Sequence, residues 1–340
     1  MIQAVMTQPG KIEFIEIPVP EIKDNQVLIK MMRIGVCGSD IHVYHGKHPY
    51  TTYPVVQGHE VSGEIVKIGE NVTGLFVGDK VTVQPQVVCG KCYSCIHGNY
   101  HICDNLKVMG FQTTGMASEY FAVDAEKVIK LPNDLSFDEG AMIEPLAVAV
   151  HAVKKIGDIK DKKILVLGAG PIGNLVAQTA KGIGAASIMI TDVSGYRLEK
   201  AKECGIDYCI NVNDHNLENE IKNIFGADKA DVIFECVGSN QTINQAINVA
   251  RKGSEIVVVG VYGDKVNVDM GLVQDRELRL YGTLMYKKED YITAIELVEN
   301  GKINLKTLIT NHFTFKDYLK AYEFIDNMKD KVMKVMVDIH

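Results

Sequence analysis

The chain has 340 residues, 46% of them hydrophobic, which is enough to fill two cores. A net charge of -7 with no Lys/Arg-rich run excludes phosphate-backbone binding as its main business, so no nucleic-acid partner is expected. The longest apolar stretch, Ile164 to Ala180, is broken by three glycines, a proline, an asparagine and a glutamine, so no membrane span is expected.

Residues 1–145 alternate short apolar runs with Gly, Pro and polar breaks, as in VLIKMMRIGVCG, VSGEIVKIG and DKVTVQPQ. That pattern predicts a folded-over β domain without βα alternation. The opening MIQAVMTQPG lacks the charged start and apolar core of a signal peptide, and a cytoplasmic location is the expectation. Four of the eight cysteines crowd into Cys89–Cys103, which favours metal over disulfides in that setting.

From about Asp161 the pattern changes. KKILVLGAG reads as a buried strand, Ile172–Gly184 as a helix, SIMITD as a strand and Tyr196–Glu203 as a second helix. YCINV, ADVIFECVG, SEIVVVGV and LRLYG supply further strands, with helices near Leu217–Phe225 and Gln241–Ala250. Near-continuous apolar strands alternating with helices predict a doubly wound parallel sheet. The tail, with helices in YITAIELVENG and DYLKAYEFIDN and the strand KVMKVMVDI, has no place in that sheet and is expected to return to the first domain. The expected boundaries are 1–146, 147–283 and 284–340.

Gly168-Ala169-Gly170-Pro171-Ile172-Gly173 has the G-x-G-x-x-G form. Alone the pattern signals little more than a tight turn. Here it follows a predicted strand and opens a predicted helix, the context in which glycines admit a pyrophosphate to free N–H groups. Asp192 ends the next strand, 19 residues after Gly173 (192 − 173), where an acid can hold the adenosine ribose. An acid there favours NAD over NADP. Arg197 is a nearby cation that weighs the other way, although an arginine at a helix start is usually just solvated. Val237, Gly260 and Val261, at later strand ends, complete the expected cofactor contacts.

Cys89, Cys92, Cys95 and Cys103 are spaced C-x2-C-x2-C-x7-C. Zinc takes four thiolates at about 2.3 Å, and tight CxxC turns bring three of them together. An iron–sulfur cluster shares the first two spacings, but its run ends C-x3-C-P, which this chain lacks. Four ligands close the shell, so this site is structural. A second set comprises Cys37 in G-V-C-G-S-D-I-H, His59-Glu60 in G-H-E-V-S-G-E-I-V-K-I-G, and Glu144 in I-E-P-L-A-V-A-V-H. Spacing alone leaves these residues unconnected, although an acid in apolar surroundings such as Glu144 needs a partner.

Taken together these motifs resemble the zinc-containing medium-chain alcohol dehydrogenases. The similarity runs through G-x-C-G-S-D, G-H-E-x2-G-x5-G-x2-V, the four-cysteine lobe, E-P-L-x-V-x-V-H and the glycine turn, in order over nearly the whole chain. The resemblance implies a β-rich GroES-like catalytic domain, a Rossmann domain, and two zinc ions per chain. It implies Cys37, His59 and Glu60 as catalytic zinc ligands, with Glu144 joining them directly or through water. Ser39 and His42 would pass the substrate proton outward, although a turn-capping serine and a surface histidine would look the same in sequence. Family members are dimers or tetramers, so a homo-oligomer is expected.

The implied activity is hydride transfer from a secondary alcohol of a sugar alcohol or sugar acid to NAD. EPLAVAVHA is similar to sorbitol-type polyol dehydrogenases, and the stretch from Cys37 to Glu60 to sugar-acid 5-dehydrogenases. ITDVSGYRLEKAK is similar to L-threonine dehydrogenases, an alternative activity. Where polyol enzymes carry G-x-F-R-Y, this chain reads Gly282-Thr283-Leu284-Met285-Tyr286, without the arginine. If a carboxylated substrate compensates, His45, Lys47 or His48 are the basic groups to meet it. A non-catalytic redox sensor would need none of the second ligand set, and a zinc-ribbon nucleic-acid binder fails on charge and on the glycine turn.

Overall fold

A computed structural model describes all residues, Met1–His340, and the chain divides into two compact units, Met1–Glu144 with Ile309–His340 and Pro145–Leu308.

The first unit is built on a seven-stranded sheet whose longest member is Gln26–Val36. That strand pairs antiparallel with Glu60–Ile68 in a register that sets Gly35 opposite Glu60. On its other side it pairs with Lys334–Asp338, with Val335 opposite Val36. Every second side chain of these strands goes to one core, including Val27, Ile29, Met31, Ile65, Val335 and Val337, all essentially solvent-free. The registers bring Cys37, His59 and Lys334 to the same end of the sheet, although most of the chain lies between them in sequence.

The second unit holds six parallel strands: Lys163–Leu167, Ser187–Asp192, Tyr208–Asn211, Val232–Glu235, Glu255–Val258 and Arg279–Gly282. Numbered in that sequence, their spatial order is 3-2-1-4-5-6, the doubly wound order that opens a crevice beside the first strand. The helices Pro171–Ile183, Gly195–Glu203, Leu217–Phe225 and Asn240–Val249 follow the first four strands. Each matches a helix predicted from sequence to within a residue or two.

Two features differ from expectation. The return to the first unit begins at Ile309, not at 284. The helix Lys288–Glu299 stays with the second unit because it buries Tyr291, Ala294 and Leu297. Its Asp290 also binds His151 at 2.8 Å and Lys154 at 3.0 Å. The second feature is the helix Phe137–Lys154, which no periodicity announced. Residues 141–147 are buried on every side, so it carries no polar face to read, and Pro145 interrupts its pattern. No helix of the chain is long and apolar enough to cross a membrane.

Candidate functional site

Cys37 leaves the strand Gln26–Val36 and stands immediately before the helix Gly38–Tyr44. Three residues on, Asp40 turns its carboxylate back to accept the Cys37 N–H at 2.9 Å, which fixes the thiol's position. His59 and Glu60 enter at the start of the neighbouring strand. The Cys37 sulfur, a His59 ring nitrogen and a Glu60 carboxylate oxygen all lie within 4.8 Å of one another.

Three observations show that this set fits a divalent cation. A side chain at residue 35 would collide with the Glu60 carboxylate, so Gly35 leaves the space that Glu60 occupies. His59 is buried with its Nδ1 lacking a hydrogen-bond partner, Asp40 Oδ1 being 3.6 Å away. Burial works against a charged His59 ring, yet Asp40 and Cys37 outweigh it and raise its pKa well above the ordinary value. A thiol, an imidazole and a carboxylate crowded around a spot that favours positive charge are a zinc donor set.

Residues outside the expected ligand set support these ligands. Asp40 is buried and accepts from Gln57 Nε2 at 3.0 Å, and Gln57 Oε1 accepts from Tyr322 O–H at 3.0 Å. Lys334, also buried, donates to Glu60 Oε1 at 2.7 Å and to the Val36 carbonyl at 3.3 Å. Burial lowers the Lys334 pKa, but the attraction of Glu60 and Cys37 raises it further and prevails. Asp40 was legible in sequence as the acid three residues after Cys37. Lys334 gave no signal, being 274 residues from Glu60.

Glu144 is buried in the helix Phe137–Lys154, close enough to add to the negative potential at Lys334. It is not among the three side chains whose ligand atoms all lie within 4.8 Å of one another. Ser39 is half-buried on the helix Gly38–Tyr44, and His42 is exposed one turn further on. Of the three expected basic groups, His45 is engaged in a 3.0 Å hydrogen bond with Asp326, and Lys47 is exposed. His48 stacks on Phe111 with ring centroids 4.8 Å apart, and the same Phe111 ring packs 5.0 Å from His59. Thr51 Oγ1 shares a 2.7 Å hydrogen bond with His48 Nδ1.

The four lobe cysteines also fall within 4.8 Å of one another. Backbone N–H groups of Cys92 and Cys89 point at the sulfurs of Cys89 and Cys103, at 3.4 and 3.3 Å. The N–H groups of Lys91 and Cys92 lower the Cys89 thiol to about 6, whereas burial and neighbouring sulfurs push Cys95 up to about 12. Four thiols at this spacing cannot all ionise without a cation, and zinc is the ion whose closed tetrahedral shell they fit.

In the second unit the glycine turn joins Lys163–Leu167 to the helix Pro171–Ile183. A side chain at Gly173 would collide with the Gly168 carbonyl, so that glycine serves close packing. Around Gly170 a side chain would meet only the Arg197 guanidinium, 3.9 Å away, leaving the backbone open to a ligand. Pro171 takes the first helical position, where its missing N–H costs nothing, and Ile172 follows it. Asp192 accepts from Ala169 N at 2.7 Å and Ser194 N at 2.9 Å, tying its strand end to the turn. A carboxylate has about four acceptor sites, so two remain for a ribose.

Comparison with known proteins agrees with this construction. Residues 23–133 match the family model for the alcohol dehydrogenase GroES-like domain, and residues 171–300 that for zinc-binding dehydrogenases. The L-threonine 3-dehydrogenase of Pyrococcus horikoshii is 35% identical over 332 residues, covering 96% of this chain and 95% of that one. The D-xylulose reductase of Saccharomyces cerevisiae is 38% identical over 332 residues, covering 94% and 92%. An alcohol dehydrogenase of Escherichia coli CFT073, solved in complex with NADH, superposes with a TM-score of 0.91 at 31% identity, covering 100% of this chain and 99% of that one. With two cysteine-bearing donor sets and a 3-2-1-4-5-6 sheet in the same chain, the protein belongs to the zinc-binding dehydrogenases and is an oxidoreductase.

Proposed function

We propose that this dehydrogenase oxidises a secondary alcohol of a small polyhydroxylated substrate, a sugar acid or a polyol, with NAD as acceptor. The Cys37–His59–Glu60 cluster, with its His and Glu buried and Cys37 half-buried, carries this reading, because a redox sensor or a binding module has no use for it. A zinc ion held there would supply a Lewis acid that brings a substrate hydroxyl's pKa toward neutrality, and the nicotinamide would take the hydride.

The chain's own residues do the rest. Asp40 orients Cys37 and sets a negative charge 3.6 Å from His59, and Lys334 balances the charge of Glu60. Ser39 and His42, on consecutive turns of one helix, are the residues we assign to moving the hydroxyl proton toward solvent. Glu144 is assigned to the same proton, acting through water. Asp192 is the acceptor for the adenosine ribose, and Gly168 to Gly173 the pyrophosphate turn. Cys89, Cys92, Cys95 and Cys103 hold a structural zinc. His48, stacked on the Phe111 ring that also packs against His59, is the residue we assign to hydrogen bonding with a substrate carboxylate or hydroxyl, although burial and neighbouring His42 lower its pKa.

A second reading, oxidation of the 3-hydroxyl of L-threonine, is favoured by the match to a threonine dehydrogenase. A cytoplasmic homo-dimer or homo-tetramer is part of the proposal, by analogy with the family. The test offers NAD with sorbitol, xylitol, L-idonate, L-gulonate and L-threonine to the zinc-loaded enzyme and follows the absorbance of the reduced cofactor. Turnover with a polyol or sugar acid is the expected result. Turnover with threonine alone would establish the second reading, and turnover with none would overturn both.

A further inference from the structure

Glu235 ends the strand Val232–Glu235 and is wholly closed off from solvent. A carboxylate in that position needs compensation for lost hydration. Here it comes entirely from uncharged donors. Glu235 Oε1 accepts from Val237 N at 2.9 Å, Gly238 N at 3.0 Å and Thr242 Oγ1 at 2.7 Å. Oε2 accepts from Gly238 N at 3.2 Å and Tyr262 O–H at 2.7 Å. Val237 and Gly238 lie in the loop following Val232–Glu235, Thr242 in the first turn of the helix Asn240–Val249, and Tyr262 in the loop following Glu255–Val258.

The two loops are pressed together at glycines. Gly238 has φ +80°, and a side chain on it would meet the Val261 backbone. One on Gly260 would collide with the Gly238 backbone. With its polar groups gathered inward on Glu235, the loop pair turns two apolar side chains outward: Val237 is 49% and Val261 77% exposed. A buried anion thus holds two exposed valines at adjacent strand ends. A fold that only needed to close its loops would bury the valines and leave the carboxylate in water.

The position along the sheet says which part of a dinucleotide these valines meet. Ser187–Asp192 lies on one side of the first strand, Lys163–Leu167, and Val232–Glu235 on the other. A dinucleotide lies across these strand ends with its pyrophosphate at the helix that begins with Pro171. With the adenosine ribose at Asp192, the nicotinamide end falls on the Glu235 side. We infer that Glu235 is a positioning residue for the nicotinamide half of the cofactor, holding Val237 and Val261 against it through Thr242 and Tyr262. This inference rests on the NAD reading given above.

The test compares NADH with ADP-ribose, which keeps the adenosine, pyrophosphate and both riboses but lacks nicotinamide. Both are titrated against zinc-loaded full-length wild type, Glu235→Gln, Tyr262→Phe and Thr242→Val, by cofactor fluorescence and by calorimetry. Gln would face an N–H or O–H donor with its own amide N–H. Glu235→Gln should weaken NADH roughly 10-fold to 100-fold and leave ADP-ribose within about 3-fold. Tyr262→Phe and Thr242→Val should each show the same asymmetry at roughly 3-fold to 10-fold, and they carry the test if Glu235→Gln does not fold. Equal weakening of both ligands, or no weakening in any variant, would overturn the inference. A wild type that binds neither ligand would overturn the NAD reading, and this inference with it.

Discussion

Lys334 Nζ lies 2.7 Å from Glu60 Oε1, and both side chains are buried although 274 residues separate them in sequence. The strand Lys334–Asp338 is the part of the tail that delivers this cation to the donor set, so the C-terminal return belongs to the metal site as well as to the core. Lys334→Met would leave Glu60 buried without its counter-charge. Breaking a buried pair by removing one partner costs about 3–5 kcal/mol, and urea unfolding of metal-free protein should show that loss. With zinc bound the loss should shrink, because the metal is itself a cation for Glu60. An equal loss in both states would mean that Glu60 does not face the metal.

Metal content and exchange separate the two donor sets. Two zinc ions per chain are expected, a slow one in the closed four-cysteine shell and a faster one at Cys37, His59 and Glu60. Cys37→Ala should abolish turnover with modest loss of stability, and Cys95→Ser should mainly destabilise the lobe. Elemental analysis, exchange against a chelator and thermal melts check this. Exchanged phenotypes would reverse the roles of the sites.

The proposed ribose role of Asp192 makes cofactor choice a test. Replacement of Asp192 by Gly should weaken NAD roughly 10-fold to 100-fold, the worth of a hydrogen bond to a charged group. It should also raise the NADP/NAD preference, since a negative charge opposing the 2′-phosphate is lost while Arg197 stays close to Gly170. Because Asp192 also accepts from Ala169 N and Ser194 N, Asp192→Asn is the sharper variant. It removes the charge while keeping an acceptor. An unchanged preference in steady-state kinetics of both variants would place Asp192 away from the ribose.

Asp290 joins the helix Lys288–Glu299 to the second half of Phe137–Lys154. Burial raises its pKa, but hydrogen bonds from His151, the Lys287 backbone and Lys154 overcome that and hold it below the ordinary 3.8. A carboxyl depressed in the folded state contributes stability above its unfolded pKa and loses it as pH falls through the folded value. Asp290→Asn should therefore cost about 1.5–3 kcal/mol at neutral pH and flatten the stability profile below about pH 4. Melting curves across that range check it, and a variant as acid-sensitive as wild type would count against this pairing.

A further prediction concerns Met285, whose backbone is left-handed at φ +51° in the loop after Arg279–Gly282. Methionine offers an adaptable apolar surface where polyol dehydrogenases have an arginine with up to five donors. Met285→Arg should raise kcat/KM for sorbitol and xylitol relative to L-idonate and L-gulonate. His48→Ala should shift preference the same way by a different route, lowering kcat/KM for the acids roughly 10-fold. If wild type already prefers sorbitol and the arginine only harms it, Met285 does not set specificity.

Much of this protein was legible in one dimension, for a physical reason. CxxC turns, the G-x-G-x-x-G turn and the acid at Asp192 are local devices whose chemistry depends on spacing along the chain, and each stands where its spacing put it. The alternation of apolar strands and amphipathic helices likewise records the environment of each residue directly. The helix Phe137–Lys154 escaped because an element buried on all sides has no period to detect.

Sequence by itself determined the four-cysteine cluster and the doubly wound second unit, whereas Cys37, His59 and Glu60 were named only by family resemblance and are brought together by strand register. Tertiary structure alone decided that Lys334 neutralises Glu60, and that Gln57 and Tyr322 stand behind Asp40. It also decided that His48 rather than His45 packs beside Phe111, and that the chain returns at Ile309. These are contacts between residues far apart in sequence. They depend on strand register and on competition between possible partners, and neither leaves a mark on local spacing.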